Sequence, residues 1–211
     1  MQAPRMTLEW GRGGDPVWWA ALNRVSGIGA ATMLRLARIF GSAEAAVKAS
    51  REDLITRGRL TLPQAADLKS VPLESLRQMI SAWSQAGIEL LAIGDERYPR
   101  SLLDLRTPPP LLYLRGDIRP EDARSVAVVG TRQPNGEGEE IAARLAQGFA
   151  QRGFTDVSGL ARGIDTAGHR GALSAPNGRT IAVLGSGLLR IYPTENVGLA
   201  DAVASRGCAM A

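Results

Sequence analysis

The sequence predicts an α/β protein: a small helical domain over residues 1–85, then a domain over residues 86–211 built on a mainly parallel sheet. Two observations carry this. Apolar residues recur at helical spacing as far as Gly87, and short runs of strand character replace them from Ile88 on. From Ser125, an apolar run, a small-residue turn and a helical pattern follow one another three times, the alternation of parallel strands joined by right-handed crossovers. The three turns fall at strand carboxyl ends, where open α/β sheets bind ligands.

At 211 residues the chain has room for one large or two small domains, and 22% charged residues without a biased tract argue against global disorder. The formal net charge of +4 favours polyanions without identifying one. A single cysteine, Cys208, excludes an internal disulfide and a thiolate metal cluster. No stretch approaches the ~18 apolar residues of a membrane span, and the N-terminus lacks the apolar core of a secretory signal. The expectation is a cytoplasmic protein with no membrane contact and no cofactor.

In chain order, residues 1–14 read as a loose arm, and Asp15-Pro16 as a helix start. Val17, Trp18, Ala21, Leu22 and Val25 repeat at helical spacing, and residues 32–40 resume the pattern after Ser26-Gly27-Ile28-Gly29. Ser42 caps a short helix through Lys48, and Ser50-Arg51-Glu52-Asp53 reads as a capping box. Pro72 opens a longer helix with the stripe Leu73, Leu76, Ile80 and Trp83. Strands are expected over 88–93, 111–114, 126–129, 154–157 and 180–184, and helices over 137–152 and 195–206, the last closed by Gly207. Only four residues follow, so the sheet is expected to stop in mid-pattern.

The turns carry the chemistry. Arg132, beside Gly130 and Thr131 after the first core strand, is placed to grip a phosphate bidentately while the next helix directs its N–H groups there. The string lacks the G-x-G-x-x-G spacing of a dinucleotide site, and no G-K-[S/T] occurs. The alternative is a surface arginine paired to a carboxylate. Ser158, Gly159, Ala161, Arg162 and Gly163 form a second small-residue turn, with Asp165 suited to fix the loop. His169, four residues on, shares the helix face of Asp165; a lone histidine is a poor metal site, and a structural hydrogen-bonding role is favoured over a catalytic pair. Gly185-Ser186-Gly187, with Arg190 and Tyr192-Pro193, makes a third turn offering a second phosphate contact and a ring for stacking on a base, or a ring that merely packs over the sheet edge. Gly27-Ile28-Gly29 is either the hairpin of a phosphate-binding helix-hairpin-helix or a tight turn between packed helices, the latter favoured.

The ordered set V-G-T-R, S-G-L-A-R-G-I-D-T-A-x-H-R-G-A-L and G-S-G-x-x-x-x-Y-P-x-E-N resembles the bacterial DNA-processing protein A family (DprA, also called Smf), as do Tyr98-Pro99 and P-P-L-L-Y-L-R-G-D before it. The resemblance runs from about Trp18 to the last residue. It implies an extended Rossmann-like αβα domain of three layers preceded by a sterile-alpha-motif-like domain. It also implies binding of single-stranded DNA in a basic pocket, protection of incoming strands in natural transformation, loading of the RecA recombinase, and a homodimer in the full-length family. By the same carry-over Arg132 is the principal phosphate ligand. Gly130, Thr131, Ser158, Gly159, Ala161, Arg162 and Gly163 line the pocket. Gly185, Gly187, Arg190 and Tyr192 stand at its rim, with Asp165, His169, Pro193 and Asn196 structural beside it. This chain has Leu189 where the family usually carries an aspartate. Family members continue beyond the position of Ala211, so a truncated or divergent member with an incomplete core sheet is expected.

The expected function is therefore non-catalytic binding of single strands. Its rival is a nucleotide-binding hydrolase of the lysine-decarboxylase-like (LOG) group, whose P-G-G-x-G-T-x-x-E turn is absent here. A third possibility is a pure interaction module.

Overall fold

The computed structural model describes residues 14–211; the loose arm expected over residues 1–14 lies outside them except for Gly14. The chain divides into two compact units. One runs to Ala86 and takes in Leu90–Leu112; the other joins Gly87–Glu89 to Tyr113–Ala211.

The first unit holds α1 (Val17–Asn23), α2 (Ala30–Phe40), α3 (Ala43–Lys48), α4 (Arg51–Thr56), α5 (Leu62–Ser70) and α6 (Leu73–Gln85) around fully buried Leu22, Met33, Leu36, Leu54 and Leu68. Asp15 Oδ1 accepts the Val17 N–H (3.0 Å) and Ser42 Oγ the Ala45 N–H (2.9 Å), each satisfying a donor that a helix start leaves over. The capping box expected at Ser50 is half made: Ser50 Oγ accepts from the Asp53 N–H, but Asp53 takes its return bond from the Ser50 hydroxyl. A full box occurs instead at α5, which the sequence reading passed over; Thr61 and Gln64 exchange bonds, and Gln64 Nε2 also donates to the Gly27 carbonyl (3.1 Å), holding the turn between α1 and α2. Buried Tyr98 donates its hydroxyl to the Pro109 carbonyl at 2.7 Å, which fixes the Pro-rich connector.

Among the described residues the sheet has six strands, β1 (Ile88–Ala92), β2 (Leu111–Gly116), β3 (Ser125–Ala127), β4 (Thr155–Ser158), β5 (Thr180–Val183) and β6 (Cys208–Met210), in the order β1-β2-β6-β5-β4-β3. The neighbours β3, β4, β5 and β6 are parallel and β2 is antiparallel to β6. The fold is mixed α/β with a mainly parallel sheet, as expected. Two details differ. Cys208–Met210 form a strand between β2 and β5 where none was expected, because three residues buried on both faces show no periodicity. The strand over 126–129 also ends early at Ala127, although the Val128 N–H still donates to the Val157 carbonyl (3.1 Å).

The strands β3 to β6 step across the sheet in one direction. Right-handed crossovers therefore set α7 (Gly136–Gln151), α8 (Ile164–Ser174) and α9 (Val197–Arg206) on one face. There α7 packs on α8 through Ala146, Ala150, Ala172 and Ala175, with Val128 beneath them. Side chains alternate along a strand, so Ala127 and Val129 face the opposite side, where both are exposed. Buried Asp122 accepts from Thr155 Oγ1 (2.7 Å) and from Arg179 Nε and Nη2 (2.9 and 2.8 Å), anchoring the connection before β3 to the starts of β4 and β5. These bonds hold the Asp122 carboxyl below its usual range against the opposing effect of burial.

Candidate nucleic-acid interface

The turn after β3 leaves its arginine in solvent. Gly130, Thr131 and Arg132 are exposed, and Thr131 Oγ1 accepts only the nearby Gln133 N–H (3.1 Å). The start of α7 offers less to an anion than its position suggests. Asn135 Oδ1 takes the Gly138 N–H (2.8 Å), and Glu137 and Glu139 lie in the first turn. The Arg132 side chain has no hydrogen bond or ion pair among the described residues, so it is the free cation of this turn.

The turn after β4 is closed on itself. Ser158 is buried and its hydroxyl donates to the Val128 carbonyl (2.6 Å). Asp165 Oδ2 accepts the N–H groups of Gly159 (3.1 Å) and Ala161 (3.4 Å), the donors a phosphate would use. Thr166 Oγ1 donates to the Ala161 carbonyl (2.6 Å), and Leu160 is buried in a left-handed conformation. Gly163 has φ +74°, and a Cβ there would stand 2.4 Å from the Thr131 carbonyl oxygen, so only glycine fits. That approach lets the Ile164 N–H donate to Thr131 O (3.2 Å), and it brings the Ile164 side chain against Gly130. The first two turns thus lie against each other. Arg162 donates through Nε and Nη2 to the two carboxylate oxygens of Glu195 (2.5 and 2.9 Å).

The third turn follows β5. Gly185 and Gly187 have open space beside their Cα atoms, Arg190 is exposed with no side-chain partner among the described residues, and Tyr192 is 62% exposed. Pro193, joined to Tyr192 by a cis peptide bond, is buried and opens a 3-10 turn over Thr194–Asn196. Buried Asn196 donates through Nδ2 to the Leu160 carbonyl (2.9 Å) and to Thr166 Oγ1 (2.8 Å), tying the third turn to the second.

His169 is not at the surface with these residues. It is fully buried between α8 and the sheet, its Nδ1 2.7 Å from Thr180 Oγ1, which donates to Asp156 Oδ2 (2.8 Å). With that donation the imidazole carries its proton on Nδ1. Burial lowers His169 to about 4 and raises Asp156 to about 6, the negative charge of Asp165 pushing Asp156 the same way. Sequence reasoning missed Asp156 and Thr180, for which a carboxylate inside an apolar strand was the one signal. It also missed Glu195, present only as the glutamate of Y-P-x-E-N. Among the described residues no group of three or more His, Cys, Asp or Glu could hold a metal ion, and no helix is long and apolar enough to cross a membrane.

Residues 89–211, which contain all three turns, match the family model described as DNA recombination-mediator protein A. The chain belongs to that family. Among its relatives, the protein Smf of Synechocystis is 33% identical over 206 residues, 92% of this chain and 50% of that protein. The DNA processing protein DprA of Bacillus subtilis is 36% identical over 130 residues, 61% of this chain and 43% of that one. The chain therefore spans about half the length of the family members it matches. The X-ray structure of DNA processing protein A from Streptococcus pneumoniae superposes with a TM-score of 0.78 at 26% identity, covering 94% of this chain and 67% of that one. A solved structure of DNA processing protein A from Helicobacter pylori, described for its single-stranded DNA binding mode, superposes with a TM-score of 0.51 at 31% identity over 58% of this chain and 54% of that one.

Proposed function

We propose that this family member binds single-stranded DNA at the three turns, with Arg132 as the principal phosphate ligand, Arg190 as a second and Tyr192 as a stacking surface. The unpartnered guanidinium of Arg132 carries the reading. It stands at a parallel strand's carboxyl end among exposed small residues, where nothing among the described residues competes for its donors. The likeness to the Helicobacter pylori protein supports the choice of ligand. Gly130, Thr131, Gly185 and Gly187 would let the strand approach the backbone, while Ser158, Gly159, Ala161 and Gly163 shape the pocket floor rather than donate to it.

The same reading makes the protein a non-catalytic one. Asp165 is bound to two N–H groups and His169 lies in the core, so neither presents a reactive group to solvent. In the cell it would be a cytoplasmic protein of DNA processing and natural transformation, protecting incoming strands and helping to load the RecA recombinase. It would act as a homodimer in its full-length form, with the helices before residue 86 as a separate domain.

The test is a fluorescence-anisotropy titration with oligo-dT across a salt series. Arg132→Ala should weaken binding about tenfold, roughly 1.4 kcal/mol, and reduce the salt slope by about 0.7, the share of one phosphate contact to a single strand. Unchanged affinity and slope in a folded variant would remove the pocket from this place.

A further inference from the structure

Of the three arginines on these turns, Arg132 and Arg190 have no partner among the described residues, whereas Arg162 has its fork filled. Its Nε and Nη2 meet the two oxygens of Glu195, the same pair of donors that would clasp two oxygens of a phosphate. Glu195 does not reach this position by chance of side-chain wandering. It sits in the 3-10 turn between buried Pro193 and buried Asn196, and Asn196 is bonded to Leu160 and Thr166 on the loop that carries Arg162. The carboxylate is thus carried by a turn that is itself bonded to the loop of Arg162. Both side chains are nonetheless more than half exposed, at 54% and 53%, so water and salt weaken the pair and an incoming anion can take its place.

We propose that Glu195 is the resident counter-ion of Arg162: it occupies the guanidinium fork until a backbone phosphate of single-stranded DNA displaces it, and so sets how tightly the site holds a strand. The exchange trades one carboxylate for one phosphate on the same donors and frees Glu195 to solvent. It leaves the empty protein without a third bare cation at its rim, which limits attraction for unrelated polyanions. The ion pair also explains why the Glu195 carboxyl is held below its usual range and the Arg162 guanidinium above its own, each by its hydrogen bonds to the other. The inference rests on the single-strand reading of the site given above.

The experiment compares wild type, Glu195→Gln, Arg162→Ala and the double variant in oligo-dT titrations over a salt series, with Glu140→Gln as a control that removes an exposed charge from α7 beyond its first turn. Glu195→Gln should tighten binding three- to tenfold at low salt, with an unchanged urea midpoint and a salt slope close to that of wild type, because the same number of phosphates is held in either complex. The gain should vanish in the double variant and be largely absent in Glu140→Gln. Equal or weaker binding by Glu195→Gln would overturn the proposal, since a carboxylate that merely staples two loops should cost affinity when lost. A gain that survives Arg162→Ala would overturn it too, as a general effect of charge. If wild type does not bind oligo-dT, the single-strand reading fails on its own. Tripolyphosphate then decides the counter-ion: tighter binding by Glu195→Gln only in the presence of Arg162 upholds it, and no difference rejects it.

Discussion

The turns after β3 and β4 each lead from a parallel strand through small residues into a helix. The first leaves Arg132 in solvent, whereas the second gives its N–H groups to Asp165 and its arginine to Glu195. What separates them is an acidic residue within reach. Asp165 lies one residue into α8 and folds back onto its own turn, while Glu137 and Glu139 of α7 are exposed and leave the first turn alone. The closed turn also sits over buried polar groups, Asp156, Thr180 and His169, and the strand before the open turn has none. A small-residue turn before a helix thus marks a place where the backbone can be approached; the next carboxylate decides whether the visitor is a ligand or the protein itself.

The sharpest way to break this contrast is Asp165→Ala. It would leave the Gly159 and Ala161 N–H groups without their acceptor, and stability should fall by about 2–3 kcal/mol, read from the urea midpoint. Asp165→Asn keeps an acceptor and should lose less. A midpoint unchanged by Asp165→Ala would show that the second turn is held by other means.

The buried pair beneath that turn makes a prediction about pH. Asp156 is raised from 3.8 to about 6, so its protonated form favours the folded state; that contribution is full below pH 3.8 and is lost as pH rises through 6. His169 is lowered from 6.5 to about 4, so its neutral form favours the folded state; that contribution is full above pH 6.5 and is lost as pH falls through 4. Between pH 4 and 6 the two slopes oppose each other, and their joint contribution should be nearly flat. His169→Asn, which retains a donor for Thr180, should leave the aspartate alone and make stability fall with rising pH over that window by up to about 2 kcal/mol. Asp156→Asn should do the reverse. Parallel profiles for both variants would mean the two groups do not titrate as opposites.

A smaller effect compares the arginines themselves. Arg132→Ala should cost about tenfold in oligo-dT affinity, about 1.4 kcal/mol, and Arg162→Ala clearly less, because its charge is already offset by Glu195. If Arg162→Ala proved the more damaging, the open and closed turns would have to exchange roles. The smallest expected change is that of Tyr192→Ala: a loss of about 1 kcal/mol in affinity from stacking with the salt slope unaltered. A slope that moved with Tyr192 would place it on a phosphate instead.

Much of this arrangement was legible in the residues. The change of period at Ile88, the three strand–turn–helix repeats and the fixing role suggested for Asp165 follow from local pattern, because period and turn chemistry are properties of consecutive residues. The α5 helix is legible too, in the capping pattern Thr61-Leu62-Pro63-Gln64. The strand Cys208–Met210 was not, since three residues buried on both faces carry no alternation. By itself the sequence determined the α/β class, the order of its elements and the places where backbone and arginine reach a strand end. Only the tertiary structure decided which of those arginines is free. It brought Glu195 to Arg162 across 33 residues, Thr180 to Asp156 across 24 and Asn196 to Leu160 across 36. Such pairings depend on how the helices and strands pack, and no spacing along the chain encodes them.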